Sequence, residues 1–100
     1  MSEFIYNGLI KTYAGACRIP NVNEEHIDMY LNDIWKLVDQ INEKGLDLNI
    51  YILNSMVLAF CNAARTEDMV MKVLPLYEKY HIKPDENTYM HIMKHYLHKR

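Results

Sequence analysis

Three histidines near the end of the chain, His91, His95 and His98, stand at i, i+4 and i+7, so a helix would bring them to one face. Imidazoles at that spacing can hold a metal ion, yet no glutamate completes an H-E-x-x-H motif and no cysteine lies nearby in sequence. The three are weak metal candidates, a polar face awaiting a partner helix is the default, and no cofactor is expected. Cys17 and Cys61 lie 44 residues apart with no C-x-x-C, which suits small buried hydrophobes in a reducing compartment better than a zinc site or a disulfide framework. There is no G-x-S-x-G, no glycine-rich phosphate loop and no clustered acid pair, so neither an enzyme nor a small-molecule substrate is expected. The acidic run Glu24, Glu25, Asp28 reads as a solvated helix start, with a binding patch as the weaker reading.

The elements that must carry these groups follow from composition and period. One hundred residues, half of them apolar, suffice for one domain with its own core. Three Gly and three Pro leave few turns, and the long runs without breakers favour helices over many short strands. No window reaches eighteen apolar residues, so a soluble chain without a membrane partner is expected. The first twenty residues show neither a signal-peptide core nor an Arg-rich presequence, and helical pattern begins almost at once, so localisation cannot be read from that end. Net charge is −2, with four basic and eight acidic side chains in residues 1–50 and seven and five in residues 51–100, which is no blanket polycation for phosphate.

Five helical segments emerge. The first, about Phe4 to Ala16, carries Ile5, Leu9 and Tyr13 on one stripe flanked by Tyr6, Ile10 and Ala14. Asn23 caps a second, Glu24 to Lys44, with the stripe Ile27, Leu31, Ile34, Val38, Ile41 and Gly45 at its close. A third covers Ile50 to Ala63 with Leu53, Met56, Val57 and Phe60 inward, and Trp35 on the second helix is a packing residue. Thr66 is the expected N-cap of the fourth, whose apolar row is Met69, Val70, Val73, Leu74 and Tyr77; Pro75 inside it predicts a kink near Met71 to Pro75. The fifth, from about Glu86, carries Tyr89, Ile92, Met93 and Tyr96.

These segments repeat. Asn49 to Phe60 and Asp85 to Tyr96 share their offsets 36 residues apart, as do Glu43 to Asn49 and Lys79 to Asp85, while Glu3 to Tyr13 matches the same pattern 47 residues before the second copy. Fixed-period helix pairs mean a solenoid, in which each hairpin buries a face on its neighbour. IYNGLIKTYA followed by LVDQINEKGLDLN, and ILNSMVLAFCNAA followed by LYEKYHIKPD, resemble pentatricopeptide repeats, with HIKPDENTY the most specific junction. The tetratricopeptide alternative wants W-x2-L-G-x2-Y in its first helix, and neither copy has the Trp or Gly of that motif. The resemblance implies an all-α chain, a right-handed α-solenoid of antiparallel helix-turn-helix repeats. The units run about 3–49 with an insertion near 16–28, about 50–85, and a partial repeat or capping helix at 86–100.

The function the resemblance implies is single-stranded RNA binding, one base per repeat, in organellar RNA metabolism or translation, with a mitochondrial or other organellar location. The residue after the first-helix aromatic and the last residue of the linker read the base, here Asn7 with Asn49 and Asn54 with Asp85, which implies a pyrimidine-rich target. Phe4 and Ile52, and more weakly Asn87, would sandwich bases, and Lys11 and Lys94 are the nearest phosphate candidates. Departures from the pattern are Gly15 and Asn62 where the family often has Lys, Leu53 for the second aromatic, and Met90 where a polar reader belongs. Asn7 and Asn54 read equally as exposed polar residues of a first helical turn, and Asp85 as an N-cap. The alternative partner is protein, with the solenoid a scaffold inside a larger assembly and the first-repeat insertion a docking surface.

Overall fold

The structure, a computed structural model, describes residues 3–17 and 23–98; the side chains at 3, 4 and 95–98 lie outside that description. Helix α1 spans Glu3–Cys17, α2 Glu24–Glu43 and α3 Ile50–Asn62. A continuous rod follows, built of a first turn α4 (Thr66–Asp68), a π-helical turn (Met69–Val73) and α5 (Leu74–Lys79), and α6 spans Glu86–His98. Two starts use asparagine caps, whose side-chain oxygens accept the first orphan amides: Asn23 from His26 and Asn49 from Ile52, both at 2.9 Å. Thr66, expected as a cap, is instead the first helical residue, and Arg65 holds the cap position. Arg65 bridges back to α2, 2.7 Å from Glu24 and 2.9 Å from Asp28, so two of the three acids of that run clamp the next hairpin.

Three chain reversals share one device. After α2, α3 and α5 the amide two residues past the cap reaches back five residues, Leu46 to Ile41, Arg65 to Phe60 and Ile82 to Tyr77. The residue before it takes a left-handed conformation, Gly45 at φ 70°, Ala64 at 58° and His81 at 57°. Gly45 and His81 lie 36 residues apart, at the same place in the period.

Hydrogen bonds between helices set the layers. Ser55 reaches Asn7 and Asn62 reaches Ala14, each 48 residues back, so α1 and α3 run parallel side by side. Tyr6 near the start of α1 reaches Gln40 near the end of α2, and Asn54 near the start of α3 meets Tyr77 in α5, so each outer rod runs antiparallel to its inner helix. α6 packs beside α3, and the result is an α-solenoid segment with α1, α3 and α6 inside and α2 and the α4–α5 rod outside.

The stripe of α2 is buried as its spacing predicts. The rings of Trp35 and Phe60 meet edge to face with centroids 5.9 Å apart, and α3 is buried nearly all round, from Ile52 to Val57 and again from Ala59 to Cys61. Other rows differ from expectation. In α1 the flanking row Tyr6, Ile10, Ala14 is the buried one and Ile5 and Leu9 are exposed, because α2 and α3 both lie on that side. In the fourth segment Met69, Val73 and Tyr77 are buried, Leu74 is half-buried and Val70 is exposed. The disturbance expected near Met71 to Pro75 takes the form of a π turn: Leu74 bonds the Met69 carbonyl five residues back, which leaves Pro75 in the first turn of the next α stretch, where a missing N–H costs little. The side chain of Tyr96 lies outside the described residues. Both thiols are buried and unbridged, and burial pushes Cys61 up to about 11, keeping it a neutral core atom.

Since a non-glycine residue in the left-handed region costs about 1 kcal/mol or more, His81→Gly is expected to raise the melting temperature by roughly 4–8 °C, and Gly45→Ala to lower it comparably, read by thermal denaturation. A fall with His81→Gly would contradict the backbone assignment.

Candidate functional site

The three inner helices leave an open groove of about 260 Å³ along their N-terminal halves, lined by Asn7 and Lys11 of α1, Tyr51, Asn54, Ser55 and Leu58 of α3, and Asn87 and His91 of α6. Its floor is a hydrogen-bonded lattice. Asn54, only 7% exposed, accepts on Oδ1 from the Tyr77 hydroxyl at 2.7 Å and from the Thr88 hydroxyl, and its Nδ2 donates to Asp85 Oδ1 at 3.0 Å. One asparagine thus ties α3 to α5, to the linker and to α6. A carboxamide oxygen has two lone pairs and both are taken, which leaves the second Nδ2 hydrogen for the groove. The α6 start completes the lattice as a reciprocal cap: Asp85 accepts from the Thr88 amide at 3.1 Å, and the Thr88 hydroxyl accepts from the Asp85 amide at 3.2 Å.

The geometry gathers the expected residues unevenly. Asn54 and Asp85 are hydrogen-bonded to each other. Asn7 lines the same groove, accepts from Ser55 at 2.8 Å and keeps its own amide hydrogens, while Asn49 is turned to capping α3. Ile52 needs correcting: it is fully buried in the core, so no base can lie against it in this fold. Counting 36 residues back from Asn87 reaches Tyr51, which is 66% exposed at the groove edge and which the sequence reading missed by one position. Lys11 borders the groove whereas Lys94 lines a different surface of α6. His91 is in the groove; the side chains of Phe4, His95 and His98 lie outside the described residues. Among the described residues no three His, Cys, Asp or Glu side chains converge as a metal would require. No helix of the described residues is long and apolar enough to cross a membrane.

Charge, hydrogen bonding and burial tune three groups here. The Thr88 amide first, and then the Asn54 carboxamide, hold the Asp85 carboxyl below the usual carboxylate range. Burial first, then the nearby Lys94 and Lys11, lower the His91 imidazole below its ordinary value against the opposing pull of Asp85, so it is neutral at pH 7. Burial pushes the Tyr77 phenol up to about 12, which keeps it a donor to Asn54. The groove therefore offers an exposed aromatic face, carboxamide hydrogens, a neutral imidazole and one bordering cation. Those groups can stack a flat heterocycle and reach its polar edge.

A family profile described as the pentatricopeptide repeat domain matches residues 36–99. No curated protein and no solved structure matches the chain.

Removing Asn54 strands a buried phenol and takes one of the linker carboxylate's donors, so Asn54→Ala is expected to cost about 2–3 kcal/mol; Tyr77→Phe, which leaves Thr88 on the amide, costs about 1. Urea denaturation measures both, and an unchanged midpoint for Asn54→Ala would refute the lattice. A carboxyl lowered in the fold contributes above its unfolded value of about 3.9 and loses that contribution as pH falls through the folded value. Acid unfolding of Asp85→Asn should therefore begin at lower pH, relative to its own stability at neutral pH, than that of the parent.

Proposed function

This chain belongs to the pentatricopeptide repeat family, and on that premise we propose that its inner layer binds single-stranded RNA, with one nucleotide seated in the groove between α1, α3 and α6. The observation that carries the reading is the meeting of exposed Tyr51 with Asn7, Asn54 and Lys11 around one hollow. Tyr51 supplies a ring on which a base stacks, the Nδ2 hydrogens of Asn7 and Asn54 reach its edge, and Lys11 meets phosphate. Asp85 orients Asn54, and Asn49 stands as the corresponding linker residue of the preceding unit. By the family pattern the preferred base is a pyrimidine, in organellar RNA metabolism or translation. The role is binding rather than catalysis.

A second reading, a protein-interaction scaffold, is favoured by a separate observation: α6 turns Tyr89 and Met93 to solvent on the side away from the groove-lining Asn87 and His91. A net charge of −2 also keeps the electrostatic share of any RNA affinity small.

The test is fluorescence anisotropy with U-rich and A-rich oligonucleotides at low and moderate salt. Tyr51 is exposed, so Tyr51→Ala leaves the fold's stability unchanged, whereas Asn54→Ala lowers it. Loss of one stacked base predicts weakening of roughly 5- to 100-fold, with U-rich preferred over A-rich and a shallow salt dependence. Absence of binding, or binding indifferent to Tyr51→Ala, would overturn the groove assignment.

A further inference from the structure

The outer face of α6 is apolar and open: Tyr89, Met90 and Met93 surround a surface hollow of about 380 Å³, with Glu86 at one end and Lys94 at the other. Register says what kind of element belongs there. The 36-residue period takes Tyr89 and Met93 to Leu53 and Val57, and the 47-residue offset takes those to Tyr6 and Ile10. All four counterparts are fully buried, and the Tyr6 hydroxyl reaches Gln40 of the antiparallel outer helix at 3.4 Å. Tyr89 and Met93 are 57% and 61% exposed, while Thr88 on the other side of α6 is buried against α3. Among the described residues nothing covers this face, whose register is that of a contact with an outer helix running antiparallel to α6.

We propose that the occupant is α6 of a second copy of this chain, the two helices pairing antiparallel about a two-fold axis near Met90. Charge selects this arrangement. Glu86 and Lys94 lie four residues to either side of Met90, so antiparallel pairing sets each copy's Glu86 against the other's Lys94, two charge pairs in all. Parallel pairing would set Glu86 against Glu86 and Lys94 against Lys94. The two-fold also opposes the helix dipoles and makes the patch self-complementary, as a closed dimer requires. Tyr89 and Met93 of both copies pack between the charge pairs, a thioether–aromatic core of the kind that tolerates imperfect fit. A contact confined to one helix pair buries less than the roughly 1,200 Å² of a stable interface, so association is expected at micromolar concentration or weaker. The inference does not rest on RNA binding.

Sedimentation velocity on the whole chain from about 10 µM to about 1 mM, the range that brackets weak interfaces, reads the equilibrium. The expected result is a concentration-dependent dimer that Met93→Glu abolishes, that Lys94→Glu weakens at least about tenfold, and that Glu86→Lys combined with Lys94→Glu restores. All three side chains are exposed, so helix content by circular dichroism should hold in every variant. A monomer throughout the range, or a dimer indifferent to Met93→Glu and to the charge exchange, overturns the proposal and leaves the face to a helix of another protein.

Discussion

A buried carboxamide tolerates no missing partner, and Asn54 is the buried carboxamide around which this chain is arranged. Its oxygen needs two donors and finds them on α5 and α6; its nitrogen needs an acceptor and finds one on the linker between them. Shape-tolerant apolar packing would let α6 slide or rotate on α3. Three directional bonds converging from Tyr77, Thr88 and Asp85 select one placement, since each rotation breaks at least one of them. Among the described residues every buried side-chain nitrogen and oxygen is satisfied, so specificity is gained here without a stranded polar group.

The same lattice forms the floor of the groove, which couples architecture to binding. Stacking hairpins in parallel brings the first turns of successive inner helices side by side, and the residues at equivalent turns, Asn7 and Asn54, come to line one hollow. Each gives its oxygen to a hydroxyl of the next inner helix, Ser55 and Thr88, and keeps amide hydrogen for the open side. In α6 the equivalent place holds Met90, which can neither accept from a following helix nor present an amide. The polar chain of inner-layer contacts thus stops at α6, where an apolar face takes over.

Legibility in the sequence followed how many neighbours each helix has. The α2 stripe could be read without error because that outer helix buries a single face. In α1 two adjacent apolar rows compete, and only the positions of both α2 and α3 decide that Tyr6, Ile10 and Ala14 go inside while Ile5 and Leu9 do not. In α3 the apolar pattern says little because burial is nearly complete, whereas the 36-residue offset from Asn87 singles out Tyr51, the one strongly exposed residue of its first turn. The asparagines were visible as residues in a repeat pattern, but their hydrogen bonds join positions 23 to 48 apart and no local rule reports them. Pro75 announced a disturbance; that the backbone absorbs it by a π turn rather than a break depends on Met69 and Val73 staying buried on α3.

The central claim is that Asn54 docks α6 and the α5 end of the rod on α3, and amide hydrogen exchange followed by mass spectrometry tests it most directly, comparing the parent chain with Asn54→Leu. The account predicts that protection falls selectively in α6 and around Tyr77, while α2 and the α1 contact stay protected, because only the lattice members lose their anchor. Unchanged protection of α6, or an equal loss in every helix, would contradict it.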